Sequence, residues 1–243
     1  MINKVIKFYT EKNYLEEKED HPQPCKLNIP DWYKNLNHSP EFLTVKGCMP
    51  FLDTLTTGYL LKIPVDLYLE HNQYAEKGRY TKMTSGLKDI PIPINLNRGE
   101  YQEVHPPLQL GEECPFHQKN QNLPYQKIIN PWIIKTPPGY SCLFLPPMNN
   151  GDDRFSIIPG IVDTDTFELE VNFPIIVNGD KYPISKTLIK KGTPYVQVIP
   201  FKRESWKMKI EAIDKKKNQK KFSHTLTLIH TYKTRFWNKK SWK

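Results

Sequence analysis

The sequence predicts a mainly β protein, an antiparallel sandwich or barrel with short helices and a C-terminal helix, and three observations carry that prediction. Proline outnumbers glycine by 22 to 11, which suits short strands joined by stiff loops better than long helices. From residue 128 onward, apolar-alternating runs recur about every 10 to 12 residues, as in sandwiches and barrels. Clusters of Pro, Gly, Asn and Asp separate those runs. A chain of 243 residues can bury one large core, so a single domain is expected. Within it, residues 1–127 form an N-terminal β and loop half, 128–213 the β core, and 214–243 a basic tail and helix.

In chain order, "INKVIKFY" (2–9) reads as a short strand. "LNIPDWYKNL" (27–36) reads as a proline-initiated helical turn, with Trp32, Tyr33 and Leu36 on one side. Pro50 to Thr56 is a short helix stopped at Gly58, and the run that follows to Glu70 alternates as one strand. Residues 71–127 are polar and weakly periodic, with two short strands in "DIPIPINL" and "YQEVHPPLQL". The core then takes its strands from "KIINPWIIKTP", "YSCLFLPP", "RFSIIPGIVD", "FELEVNFPIIV", "TLIKKGTPYVQVIPF" and "WKMKIEAI". After the lysine cluster at 214–221, Ser223 is placed as an N-cap. Leu226, Ile229, Tyr232, Phe236 and Trp237 follow near helical spacing, which predicts a terminal amphipathic helix.

Charge is unevenly placed. Residues 202–243 hold 14 Lys or Arg against three acidic residues, a net of +11, and of the chain's +9 this leaves −2 for residues 1–201. Lys215, Lys216, Lys217, Lys220, Lys221 and Arg235, interleaved with Trp237 and Trp242, form a pattern that nucleic-acid binders use, and the phosphate contacts would be sequence-independent. A solubilising connector and a helix docked on the sheet or on another subunit is the alternative reading. No run approaches the roughly 18 to 20 apolar residues of a membrane span, and "MINKVIKFYTEKNYLEEKED" lacks an apolar signal core. A cytoplasmic protein with no membrane partner is therefore expected. Cys25, Cys48, Cys114 and Cys142 are too scattered for a disulfide framework and read as reduced thiols. Cys114 and His117 have Cys-x-x-His spacing near His105, but no second pair completes a zinc set, so no metal or other cofactor is predicted. P-loop, GxGxxG and GxSxG motifs are absent.

Three segments carry a resemblance. "PPGYSCLFLPP" (137–147), "PGIVDTDTFELEVNFP" (159–174) and "IKKGTPYVQVIPF" (189–201) resemble, in order and spacing, the β-clip fold of dUTPases and dCTP deaminases. Trp132 to Ser141, Ile158 to Asp163 and Lys191 to Arg203 also resemble segments of a family of uncharacterised proteins from tailed bacteriophages and bacteria. The second resemblance extends to "KGCMPFLDTLTTGYLLKIPVD" and so to most of the chain. Together they imply a β-clip-like core over 128–213, assembly as a homo-oligomer, a trimer by the habit of that fold, and a host-cytoplasm or virion location. Phage or host proteins and nucleic acid are the other partners to expect.

The β-clip resemblance also implies a site. Asp163 matches the aspartate that orients a water for attack in dUTPase-like enzymes. Gly139, Tyr140, Gly160, Val162, Asp165 and Gln197 fall on the pocket-lining segments. The remaining constellation departs from the pattern. The phosphate-binding Arg-Ser is Met148-Asn149-Asn150 here, the aromatic that stacks under deoxyribose is Thr166, and no glycine-rich arm follows. A triphosphate needs several donors to offset its charge. The sequence therefore leans towards a noncatalytic assembly or accessory protein with a degenerate nucleotide pocket. The alternatives are a nucleotide hydrolase or deaminase using Asp163, with Mg²⁺ required in that case, and nonspecific nucleic-acid binding through the tail. Under the noncatalytic reading, Asp163 and Asp165 close a turn.

Overall fold

A computed structural model describes residues 4–16, 18–74, 78–85, 105–213 and 231–243. Its described part is mainly β, with every strand pair antiparallel. The strands are β1 (Lys7–Tyr9), β2 (Gln23–Pro24), β3 (Tyr59–Lys62), β4 (Leu67–Asn72), β5 (Tyr80–Ser85), β6 (Gln126–Ile128), β7 (Ile133–Lys135), β8 (Tyr140–Leu145), β9 (Phe155–Ile157), β10 (Gly160–Val162), β11 (Phe173–Val177), β12 (Ile184–Ile189) and β13 (Pro194–Lys202). They form a five-stranded sheet in the order β10-β8-β13-β3-β2, two three-stranded sheets, β6-β11-β9 and β12-β4-β5, and the pair β1-β7. No sheet closes into a barrel among the described residues.

Three sequence runs that alternate continuously are each cut in two, and the cut moves the chain between sheets. The run 59–70 breaks at Pro64, where a backbone donor is missing: β3 joins the large sheet and β4 a small one. "RFSIIPGIVD" breaks at Pro159 in the same way, sending β9 and β10 to different sheets. "TLIKKGTPYVQVIPF" (187–201) breaks at Gly192, whose φ of +83° favours glycine. Because β3 pairs with β13 and β4 with β12, these two bent runs turn the corner together. Ile63 holds the corner, donating its N–H to the Thr193 carbonyl and accepting from the Gly192 N–H. Strands that switch sheets at a bend are a standard way to build corners between packed sheets.

One apolar cluster draws on all four sheets. Leu61, Leu69, Ile134, Phe144, Ile157, Ile175, Ile189 and Val198 are all buried in it. The N-terminal half does not form a separate layer. It contributes β1, β3 and β4 to the same sheets as the predicted core, opposite β7, β13 and β12. Three short helices outside the sheets are α1 (Lys12–Glu16), α2 (Asp31–Lys34, led in by Pro30) and α4 (Pro115–Lys119). The fourth, α3 (Met49–Thr56), is the predicted helix before Gly58. In α2, Tyr33 turns inward to stack on Phe51 of α3, while Trp32 is half-exposed.

Several expectations differ from the structure. The strand expected in "YQEVHPPLQL" is, among its described residues, an isolated bridge at His105 followed by a 3-10 turn at Pro107–Leu110; Pro106 and Pro107 cannot donate to a ladder. "DIPIPINL" lies outside the described residues. The first half of "FELEVNFPIIV" is not a strand, apart from a bridge between Glu170 and Ile133. "WKMKIEAI" alternates like a strand but pairs with nothing among the described residues. The C-terminal helix, where described, is a single turn at Tyr232–Phe236, and residues 237–243 are not helical. They strap across α3 instead: the Trp237 indole N–H donates to Asp53, Lys240 Nζ pairs with Asp53 at 2.6 Å, and Trp242 packs edge-on against Tyr59. Lys240, Trp237 and Trp242 of that strap thus have partners within the chain.

Gly58 tests the junction between α3 and the large sheet. Its φ is +76°, and a Cβ there would lie 2.2 Å from the Val198 carbonyl oxygen. Gly58→Ala should lower stability by at least about 2 kcal/mol, combining left-handed strain with overpacking against backbone. Urea unfolding of the two proteins checks this.

Candidate functional site

Strand β8 lies between β10 and β13, and its first residues bring the Pro-Gly-Tyr turn, the Asp163 turn and the end of β13 to one place. Tyr140 is opposite Lys202, Ser141 opposite Phe201, and Cys142 opposite Val162. Gly139 precedes them with φ +81°, and its carbonyl accepts the Arg203 N–H at 2.9 Å. The turn after β10 closes on the Asp163 carbonyl, which accepts the N–H groups of Thr166 and Phe167. Beneath it, Thr136 Oγ1 lies 2.7 Å from the buried Thr164 Oγ1 and donates to the Tyr140 carbonyl. Local backbone bonds therefore fix both aspartates.

The two carboxylates have different surroundings. Asp165 is 6% exposed at its side chain and receives Arg203 in a two-pronged pair, at 2.8 and 2.5 Å. Its Oδ2 also accepts the Gly139 N–H at 2.8 Å. These donors, the Arg203 guanidinium foremost, hold its carboxyl down to about 2. Asp163 is 61% exposed at its side chain. It accepts the Ser141 hydroxyl at 2.6 Å and has Arg203 Nη1 at 3.2 Å. Arg203 Nη1 also donates to Ser141 Oγ at 3.1 Å, which completes a Ser-Asp-Arg-Asp network. Lys4 Nζ sits 4.1 Å from the centre of the Tyr140 ring beside it.

Of the residues assigned to the site from sequence, Gly139, Tyr140, Val162, Asp163 and Asp165 come together here. Gly160 pairs with Phe144 further along β8. Gln197 pairs with Leu145 at the far end, roughly 17 Å away along the strand. Its buried amide is fully engaged there: Oε1 accepts the Met148 N–H at 2.8 Å, and Nε2 donates to the carbonyls of Thr54 and Thr57. Asn149 and Asn150, which stand where the resembled enzymes have their phosphate-binding pair, donate to Thr54 Oγ1 and to the Asn28 carbonyl. Their side chains tie the segment to the N-terminal half. Arg203 and Ser141 are the network members that sequence reasoning passed over. Arg203 directly follows β13, and the two acidic residues follow β10, with β8 between the two strands, so no local sequence signal joins them.

The other candidates are placed as follows. Among the described residues, no three His, Cys, Asp or Glu side chains are grouped to hold a metal ion. His117 is buried with its Nδ1 at 2.9 Å from the Pro107 carbonyl oxygen, and His105 stacks on Tyr125. All four cysteines are free, and burial pushes the thiols of Cys25 and Cys142 up, to about 12 and about 11. Lys215, Lys216, Lys217, Lys220 and Lys221 lie outside the described residues, while Arg235 is exposed on the terminal helical turn. No helix among the described residues is long and apolar enough to cross a membrane. The chain matches no protein-family model and no curated protein sequence.

The Asp165–Arg203 pair has a pH signature. Because the folded carboxyl is held below its ordinary value near 3.8, its contribution is fully present above about pH 4 and is lost as pH falls towards 2. Asp165→Asn should therefore be less stable than the parent at pH 7, with the difference shrinking between pH 4 and pH 2. Chemical unfolding across that range measures it; a difference that persists unchanged at pH 2 contradicts the assignment.

Proposed function

We propose that this protein is a noncatalytic assembly or accessory component of the tailed-phage type, and that it works as a homo-oligomer. The observation that carries the reading is the segment after β13. Trp206, Met208, Ile210 and Ile213 are 89%, 84%, 86% and 69% exposed, and among the described residues their segment forms no helix, turn or ladder. Burying each such side chain stabilises by about 1.5 to 3 kcal/mol, so leaving four in water forfeits a large gain that a partner surface would supply. Contiguous exposed apolar groups of this kind mark interaction sites. The Asp163 network supports the noncatalytic part of the reading. Arg203, the one cation among the described residues that touches both aspartates, is held by Asp165, and the segment that would supply phosphate donors is tied to Thr54 and Asn28.

The enzymatic alternative keeps one specific observation, the open carboxylate of Asp163 beside a serine hydroxyl. Two measurements separate the readings. Light scattering after size exclusion should give a mass that is a multiple of the 28.6 kDa chain, and a monomer at all concentrations overturns the proposal. Incubation with deoxynucleoside triphosphates and Mg²⁺ should release neither pyrophosphate nor ammonia. Turnover that disappears in Asp163→Asn would establish the enzyme instead.

A further inference from the structure

The exposed arm calls for a surface with the same two-residue period and the opposite charge, and the chain contains one. Residues 163–170, Asp-Thr-Asp-Thr-Phe-Glu-Leu-Glu, hold four carboxylates and no cation. Phe167 and Leu169 alternate there with Glu168 and Glu170, and they are 38% and 46% exposed. In the arm, Trp206, Met208 and Ile210 alternate with Lys207 and Lys209. Building on the reading of this protein as a self-assembling component, we infer that residues 206–210 of one copy lie along residues 167–170 of a second copy. Apolar side chains meet apolar ones, and Lys207 and Lys209 face Glu168 and Glu170.

The fold places both surfaces for this exchange. Glu170 bridges Ile133, whose other neighbour is Tyr9 of β1, so the acceptor lies on the side of β7 away from β1. An arm laid along residues 167–170 would continue outward from the single Glu170–Ile133 bridge on that side of the β1-β7 pair, in the manner of strand addition at an edge. Arg203, at the root of the arm, is held by Asp165, near the start of the acceptor. Arm and acceptor thus begin at one point on the surface, and two copies meeting there present each to the other, the condition for a self-complementary interface. The charged groups already have exposed partners, Glu168 with Lys135 at 2.8 Å and Lys209 with Glu211. Exposed pairs of this kind contribute little and exchange readily.

Charge exchange tests the pairing. Masses are measured by light scattering for the parent, for Glu168→Lys with Glu170→Lys, for Lys207→Glu with Lys209→Glu, and for the protein with all four changes, each with a circular dichroism spectrum. The expected result is an oligomeric parent, two monomeric double variants with unchanged spectra, and an oligomer restored in the fourfold variant. Double variants that remain oligomeric, or a fourfold variant that stays monomeric, overturn this surface while the oligomeric parent leaves self-assembly standing. A monomeric parent overturns both.

Discussion

Strand β13 is the constraint on which the rest of the molecule depends. It is the longest strand among the described residues, and both of its edges are occupied, by β3 from the N-terminal half and by β8 from the C-terminal half. Tyr195, Val196, Gln197 and Val198 are buried along it, so it is at once the middle of the large sheet and a wall of the core. Gln197 reinforces the seam by joining backbone groups of Met148, Thr54 and Thr57, all distant from it in sequence. A buried amide with all these bonds made stabilises the junction, whereas removing it would strand a donor and two acceptors.

What happens at the end of β13 follows from that anchoring. Lys202 is the last paired residue, and Arg203 immediately turns its guanidinium onto Asp165. The strand therefore stops at a fixed place, and the next ten residues depart with no ladder among the described residues to follow. The aspartates contribute unequally. Asp165 is a fastener that joins the Gly139 turn to the strand end, and Asp163 is the open carboxylate above it. A paired acidic turn in sequence thus becomes one structural group and one accessible group, set by burial and by how the arginine divides its contacts: a two-pronged pair with Asp165 and a single longer contact, at 3.2 Å, with Asp163.

Much of this was legible in the sequence because the signals were local. The α3 helix with its Gly58 stop, the helical turn after Pro30 and most of the strands after residue 128 follow from proline and glycine placement and from apolar alternation. The corners were not, because Pro64 and Gly192 look like interruptions within one strand until their flanks are seen to join different sheets. Likewise, "WKMKIEAI" has the alternation of a strand, but alternation records only that one face needs covering. Whether the cover comes from the same chain is a tertiary matter. Within the site, Asp163 and Gly139 were pointed to by the β-clip resemblance, while Arg203 acts across 38 residues of sequence from Asp165, a separation that no local pattern encodes.

The central claim is that the segment after β13 acquires its partner from another copy. Amide hydrogen exchange followed by mass spectrometry across a dilution series reads it directly. Peptides covering residues 206–213 should be protected at high protein concentration and lose that protection on dilution, while β13 stays protected throughout. Rapid exchange of 206–213 at every concentration, or protection independent of dilution in a monomer, would contradict it.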